Sequence, residues 1–331
     1  MVISRHNHQA VLFIVPTTGA VADMRVVLLG GAGFIGHHLA RYLRGRAQTL
    51  VVTRRLPDEE HRVEGVAYVE GDCATPGLLG QVIHPGDHVV HLAHHAVPAH
   101  SFDVPLVEVQ DNLPSAIKLL EALKNIDIRR LVYVSSGGTV YGPAGAGVPI
   151  REDHATDPIS PYGITKLTIE KYCGMYARLF GIPVVVARPS NPFGPGQLPH
   201  RGQGFVATAA AQVLHGETVT VFGEHGTVRD YLYIDDLVTA LDCLLFADCP
   251  PGDVCNIGSA MGRTNTDVLT SIARAVGKDL SLLAVEHAPA RPFDVPYNVL
   301  DTGKLNSMGW QPRTGFDEGV SRTVAWLRTQ A

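Results

Sequence analysis

The sequence predicts an α/β fold: a doubly wound parallel sheet with helices on both faces, followed by a smaller C-terminal α/β lid. Three observations carry this. Apolar runs alternate with helical patterns from Met24 to about residue 190. The first run, Met24-Arg25-Val26-Val27-Leu28-Leu29, stops at a glycine cluster, and a helical pattern follows at once. The alternation then breaks down after Arg188-Pro189-Ser190-Asn191-Pro192, where the pieces become short and mixed. A chain of 331 residues is long enough to bury a large core in one or two domains.

The first apolar run reads as a buried parallel strand. Gly30, Gly33 and Gly36 follow it with the spacing G-x-x-G-x-x-G. Glycine at these places lets the backbone turn sharply, approach a pyrophosphate and pack the next helix on the strand. The free N–H groups of that helix then face phosphate oxygens. Strand, glycine turn and helix in this order predict a dinucleotide site. Thr49–Thr53 is a second strand, ending in Arg54-Arg55. An acidic residue at that end suits a ribose 2′-OH and an Arg suits a 2′-phosphate, so Arg54 keeps NADP open beside NAD. The alternative is a solvated Arg pair at a loop start. A third strand over 66–72 places Asp72 to accept from an adenine amino group. A fourth over His88–Ala93 ends beside the pyrophosphate.

Ser115–Leu123 has the apolar spacing of an amphipathic helix. A fifth strand over Arg130–Ser136 runs into Gly137-Gly138-Thr139-Val140-Tyr141-Gly142. Next comes Ser160-Pro161-Tyr162-Gly163-Ile164-Thr165-Lys166, then a helical pattern over 167–179. Tyr162 and Lys166 are four apart and share a helix face. A free tyrosine, with a pKa near 10, is a poor base at neutral pH. A neighbouring ammonium favours its phenolate, which makes the pair a candidate general acid/base. A Y-x-x-x-K spacing also arises by chance; its place after the glycine turn and the Ser-rich strand end favours the chemical reading. A sixth strand spans 182–187. Beyond it lie a helix over Phe205–Leu214, a short strand over 219–223 and a strand-to-helix passage from Tyr231 to Leu237. Residues 24–190 are expected to form the cofactor domain and 191–331 mainly the lid, with some segments returning to the first sheet.

Net charge is −5, and the basic residues form no block, which argues against a nucleic-acid partner. No apolar run is long enough to span a bilayer. Five cysteines without C-x-x-C spacing suggest a reducing, cytoplasmic setting with neither disulfide framework nor zinc site. The sixteen histidines are scattered, so no metal is expected. Residues 1–23 hold a short apolar run broken by Pro16. They read as a leader outside the fold, or as upstream of the true start, rather than as a secretory signal.

Several motifs occur in order: the glycine triplet, Gly71-Asp72, His91-Leu92-Ala93, Ser135-Ser136 through Tyr141-Gly142, Tyr162-x-x-x-Lys166, Arg188-Pro189-x-Asn191-Pro192 and Val228-Arg229-Asp230-Tyr231. From Met24 onward this set resembles the extended short-chain dehydrogenase/reductases of the NAD-dependent epimerase/dehydratase type. Within them it is most similar to the UDP-glucose (UDP-galactose) 4-epimerases. The resemblance implies a Rossmann-type cofactor domain, a substrate-binding lid, NAD, a UDP-linked sugar substrate and a homodimer. It implies Tyr162 as the base, Lys166 on the nicotinamide ribose, and Thr139 or Ser136 as the assisting hydroxyl. Cofactor contacts would come from Gly30, Gly33, Phe34, Ile35, Gly36, Arg54, Asp72, Cys73, Leu92, Ala93, His94, Asn112, Tyr162 and Lys166. Substrate contacts would come from Thr139, Tyr162, Asn191, Phe222 against the uracil, Arg229 and Arg291 on the diphosphate, and Asn298. Asn298, with Tyr297 beside it, stands where a bulky residue excludes N-acetylated sugars.

Two positions depart from the pattern. Gly137 stands where the family has Ser or Thr, and Arg54 stands where it has Asp. Three readings follow: a nucleotide-sugar 4-epimerase, an NADPH-dependent 4-ketoreductase, and a non-catalytic NAD(P)-binding scaffold.

Overall fold

The protein, seen in a computed structural model, is described over residues 12–13, 24–95, 100–145, 147–199, 204–224, 226–291 and 294–330. The chain runs β1 (Leu12–Phe13), β2 (Arg25–Leu29), α1 (Phe34–Leu43), β3 (Gln48–Thr53), β4 (Ala67–Glu70), α2 (Leu78–Val82), β5 (His88–His91), α3 (Pro105–Leu123), β6 (Arg130–Val134), α4 (Pro161–Phe180) and β7 (Val184–Pro189). It continues through β8 (Asn191–Phe193), α5 (Phe205–His215), β9 (Val219–Phe222), β10 (Val228–Tyr233), α6 (Ile234–Phe246), β11 (Asp253–Ile257), β12 (Gly262–Thr264), α7 (Asn265–Val276), β13 (Val285–Ala288), β14 (Tyr297–Asn298), α8 (Gly303–Ser307) and α9 (Phe316–Arg328).

The main sheet has the order β1-β4-β3-β2-β5-β6-β7-β11. The seven strands from β4 to β11 are parallel. Its centre is apolar on both faces, as helices on both sides require. Val26 and Leu28 point to one core with Leu39 and Leu43 of α1 and Leu237 and Leu241 of α6. Val27 and Leu29 point to the other, with Leu119, Leu120 and Leu123 of α3 and Tyr176 of α4. This alternation is the period of two of a strand buried between helical layers. The strands converge at their carboxyl ends on the glycine turn, which is where an open parallel sheet presents a crevice.

Beyond β7 the chain builds a smaller sheet around β10, which pairs with β8 and β14 in parallel and β12 antiparallel. A further parallel pair joins β9 and β13. α6 and β11 return to the main sheet, β11 pairing with β7 from Asp253 to Ile257.

Three elements differ from the sequence expectation. α3 begins at Pro105 rather than at Ser115, and Pro114 lies inside it. Pro105 at the first helical turn costs no hydrogen bond, whereas Pro114 removes one and misleads a reader into starting the helix after it. α4 begins at Pro161, where the Ser160 side chain caps it by accepting from the Gly163 N–H at 3.1 Å. Leu12 and Phe13, expected outside the fold, pair antiparallel with Val69 and Tyr68 at the sheet edge. The rest of the expected leader, 1–11 and 14–23, lies outside the described residues.

Among the described residues no helix is long and apolar enough to cross a membrane. All five cysteines are free. Cys249, Asp253 and Cys255 come within metal-binding reach of one another. Asp253, however, is taken by Lys304, and burial pushes both thiols up toward their protonated forms.

Candidate active site

A cavity of about 790 Å3 opens at the carboxyl ends of the strands and runs under the smaller sheet. Its floor is the glycine turn. Gly30 has φ +81°, and a Cβ there would sit 2.6 Å from the Ala93 Cα. Gly36 brings α1 onto the turn, since its Cβ would lie 2.4 Å from the Gly31 Cα. Gly33, by contrast, faces open space, its nearest neighbour on that side being the Gly30 carbonyl oxygen at 3.6 Å. Gly33 is also the residue on which α1 starts, so the free N–H groups of the first turn surround that space. The cradle therefore fits a pyrophosphate by backbone shape alone. Phe34, Ile35, Leu92 and His94 complete this end of the cavity wall.

Tyr162 and Lys166 project from the first two turns of α4 into the middle of the wall. The Lys166 ammonium donates to the Val134 carbonyl at 2.9 Å and lies 5.6 Å from the centre of the Tyr162 ring. Burial pushes the Lys166 pKa down to about 8, against the pull of Glu108 and Glu170. Burial first and Glu108 second hold the Tyr162 phenol well above its ordinary value, while a hydrogen bond with Ser136 draws it back. Burial and Glu108 thus hold the phenol toward its protonated form. Below this pair Arg188 and Glu170 form a buried bidentate ion pair, with contacts from 2.6 to 3.2 Å. Ser135 donates to the same carboxylate. That pair fixes the end of β7 against α4.

The assisting hydroxyl is clarified by Gly137. A Cβ there would meet the Leu300 side chain at 2.6 Å and the Arg188 carbonyl oxygen at 2.9 Å. A side chain at 137 would thus run away from the cavity, not toward Tyr162. Ser136 and Thr139 line the cavity instead. The Thr139 hydroxyl is buried and without a hydrogen-bond partner.

At the far end, Phe222, Arg229, Arg291 and Asn191 line the wall together. The Asn191 amide donates to the Asp230 carbonyl at 3.1 Å. The Asp230 carboxylate does not meet Arg229. It accepts from Ser259, Ala260 and Leu300 and ties the β11–β12 turn down. Arg229 donates only to the Val228 carbonyl and has no carboxylate within ion-pair reach among the described residues. Burial lowers its pKa, with Arg291 adding to the shift and Tyr231 and Asp294 opposing it. Arg291 forks onto Asp294 at 2.8 and 3.1 Å and lies 4.2 Å over the Phe222 ring. The face of Phe222 expected to meet a uracil therefore carries a guanidinium here. Pro292 and Phe293, between Arg291 and Asp294, lie outside the described residues.

Six expected residues stand off the wall. Asn298 is fully buried on β14 and donates to the Gly137 carbonyl at 3.0 Å. Asn112 is spent on the β5–α3 loop: it accepts from the His95 N–H and donates to the Glu108 carbonyl, both at 2.8 Å. Asp72 accepts from the Ala74 N–H at 2.7 Å. Cys73 is buried, its thiol pushed up to about 11 by burial. Ala93 packs on Gly30. Arg54 reaches His95 Nδ1 at 2.9 Å rather than the cavity. Glu108, by contrast, belongs to no motif in the sequence. Its carboxylate is buried beneath His94, and the signal for it was Pro105 as a helix start.

A glycine cradle, strand ends and a tyrosine–lysine pair in one cleft define a dinucleotide-dependent site of the dehydrogenase/reductase class. Residues 26–258 match the model of the NAD dependent epimerase/dehydratase family, and the chain belongs to that family. It is 31% identical over 319 residues to the UDP-glucose 4-epimerase of Mycolicibacterium smegmatis, covering 93% of this chain and 100% of that one. Among solved structures it resembles the Thermus thermophilus UDP-glucose 4-epimerase in complex with NAD. There the identity is 34% and the TM-score 0.86, over 93% of this chain and 100% of that one. The Thermotoga maritima UDP-glucose 4-epimerase with UDP-glucose matches at 30% identity and TM-score 0.86, over 93% and 99%.

Proposed function

We propose that this chain is a nucleotide-sugar 4-epimerase with NAD as its resident cofactor, acting on UDP-linked hexoses. One observation carries the reading. Tyr162 and Lys166 line a single cavity with a backbone cradle shaped for pyrophosphate and a partly buried Arg229 that has no carboxylate within ion-pair reach among the described residues. The family membership and the UDP-glucose 4-epimerase relatives support it.

When bound, NAD supplies reversible acceptance of the C4 hydrogen as hydride. The residues do the rest. Gly30, Gly33 and Gly36 admit the pyrophosphate. Tyr162 takes the O4 proton and returns it after C4 has inverted, with Ser136 and Thr139 holding the hydroxyl. Lys166 supplies the positive charge that favours the phenolate. Arg229 and Arg291 grip the diphosphate by forked hydrogen bonds, and Asn191 and Phe222 bound the nucleotide beside them. A sugar anchored only through its nucleotide is free to turn over between the two passages of the C4 hydrogen.

Residues 24–190 and 191–331 form the cofactor and substrate portions, with α6 and β11 shared. A homodimer through α3 and α4 is supported by exposed Leu106, Val107, Val109 and Ile164 on those helices. Five free thiols suit a cytoplasmic setting.

The test is to incubate purified protein with UDP-galactose, UDP-N-acetylgalactosamine and a 4-keto nucleotide sugar, with and without NADPH. Interconversion of C4 epimers without added NADPH supports the epimerase. Turnover only with NADPH overturns it.

A further inference from the structure

Glu108 projects from the first turn of α3 behind His94, which lines the cavity. Its side chain is fully buried, with 0% exposed. One carboxylate oxygen is 2.7 Å from His94 Nε2, and the other has no hydrogen-bond partner. His94 stands edge-on to Tyr162, with ring centres 4.7 Å apart at 75°. A half-satisfied buried carboxylate is costly, so its retention beside a reacting phenol calls for a compensating charge. Arg188 is already taken by Glu170. That leaves the buried Lys166 ammonium, whose charge acts on Glu108 from beyond ion-pair distance.

We propose that His94 and Glu108 form a positioning pair for the tyrosine base: His94 braces the Tyr162 ring and donates to Glu108, and Glu108 is the resting counter-charge of Lys166. The pair thereby sets the pH at which Tyr162 gives up its proton. This rests on Tyr162 being the base. Every charged or titratable neighbour enters the balance. Glu108 faces His94 from the β5–α3 loop, Tyr133 from β6, Lys166 and Tyr162 from α4, and Asp111 from its own helix. His94 also faces His91 and His95, and Lys166 faces Glu170 as well. Burial raises the Glu108 pKa and Lys166 lowers it, while Glu108 draws both the Tyr162 phenol and the Lys166 ammonium toward their protonated forms. His94 itself is pushed well down by burial and Lys166, which favours its neutral form; in the proposed pair its Nε2 carries the proton toward Glu108.

The experiment records kcat/KM against pH for wild type, Glu108→Gln, His94→Phe and His94→Gln, and follows phenolate formation by ultraviolet difference absorbance, with Tyr162→Phe as the blank. Removing the Glu108 charge should move both limbs of the profile down, by on the order of one pH unit, because Tyr162 and Lys166 both lose the carboxylate that holds their protons. The phenolate absorbance should move with the acid limb. His94→Phe, which removes only the donor, should move them the same way by less, and His94→Gln, which restores a donor, should not. If Glu108→Gln does not fold, the contrast between the two His94 variants decides. Activity lost evenly across pH, with unmoved limbs and absorbance, overturns the proposal and leaves a structural role. Full activity in Tyr162→Phe would instead sink the tyrosine-base reading itself.

Discussion

The two ends of the cavity are built on different principles. At the cofactor end the determinants are backbone: Gly30 against Ala93, Gly36 against Gly31, and open space over Gly33. That end is complete before any ligand arrives. At the substrate end the determinants are side chains engaged with one another, Arg291 on Phe222 and Asp294 above all. On the proposed function, a diphosphate would compete with Asp294 for Arg291. The first end is shaped by backbone; on the proposed function the second would exchange internal contacts for ligand contacts, which would lower affinity and ease release.

The largest expected effect falls at the seam between them. Tyr162→Phe should lower kcat by about 100- to 10,000-fold, while cofactor binding, read by equilibrium dialysis, survives because the cradle is untouched. Gly30→Ala attacks the preformed end. The positive φ and the close approach to Ala93 should cost about 1–3 kcal/mol of stability, and cofactor retention should fall with it, read by thermal unfolding and by the absorbance of the purified protein. Arg291→Ala attacks the exchanging end. It should raise KM for the nucleotide sugar by about 10- to 100-fold with the melting temperature nearly unmoved, since its ion pair with Asp294 is partly exposed. If Gly30→Ala left stability intact, or Arg291→Ala unfolded the protein, the contrast would be wrong. A smaller effect concerns pH. Lys166 is charged below its pKa of about 8, so turnover should decline as pH rises through that value. A flat profile to pH 9 or so would show that Lys166 is not supplying charge.

The same contrast explains what sequence discloses. The glycine end is legible because its residues are contiguous and each answers a backbone need. Tyr162 and Lys166 are legible because one helix face holds both. The substrate end assembles from β9, β10 and the segment before β14, so spacing says little about contact. Asn298 illustrates this: its position in the chain suggests a cavity residue, yet pairing of β14 with β10 turns it to the Gly137 carbonyl. Glu108 was hidden for a local reason. Pro114 masks the helix that carries it, and Leu106-Val107-Glu108-Val109 does not display helical periodicity. Arg54 shows the limit of a residue-type rule, since its guanidinium is committed to His95.

The return of β11 to the main sheet has a consequence for how the molecule comes apart. Its pairing with β7 closes the sheet using residues that follow the substrate-binding strands in the chain. The Tyr141 hydroxyl donates to Asn256 on that strand at 2.6 Å, and the Asn256 amide reaches the Ile150 carbonyl at 2.8 Å. A protein truncated near residue 190 would expose a bare apolar edge beside β7 and lose the Tyr141 anchor. Neither fragment should then be an autonomous folding unit, and calorimetry of the intact chain should show one cooperative transition in place of two.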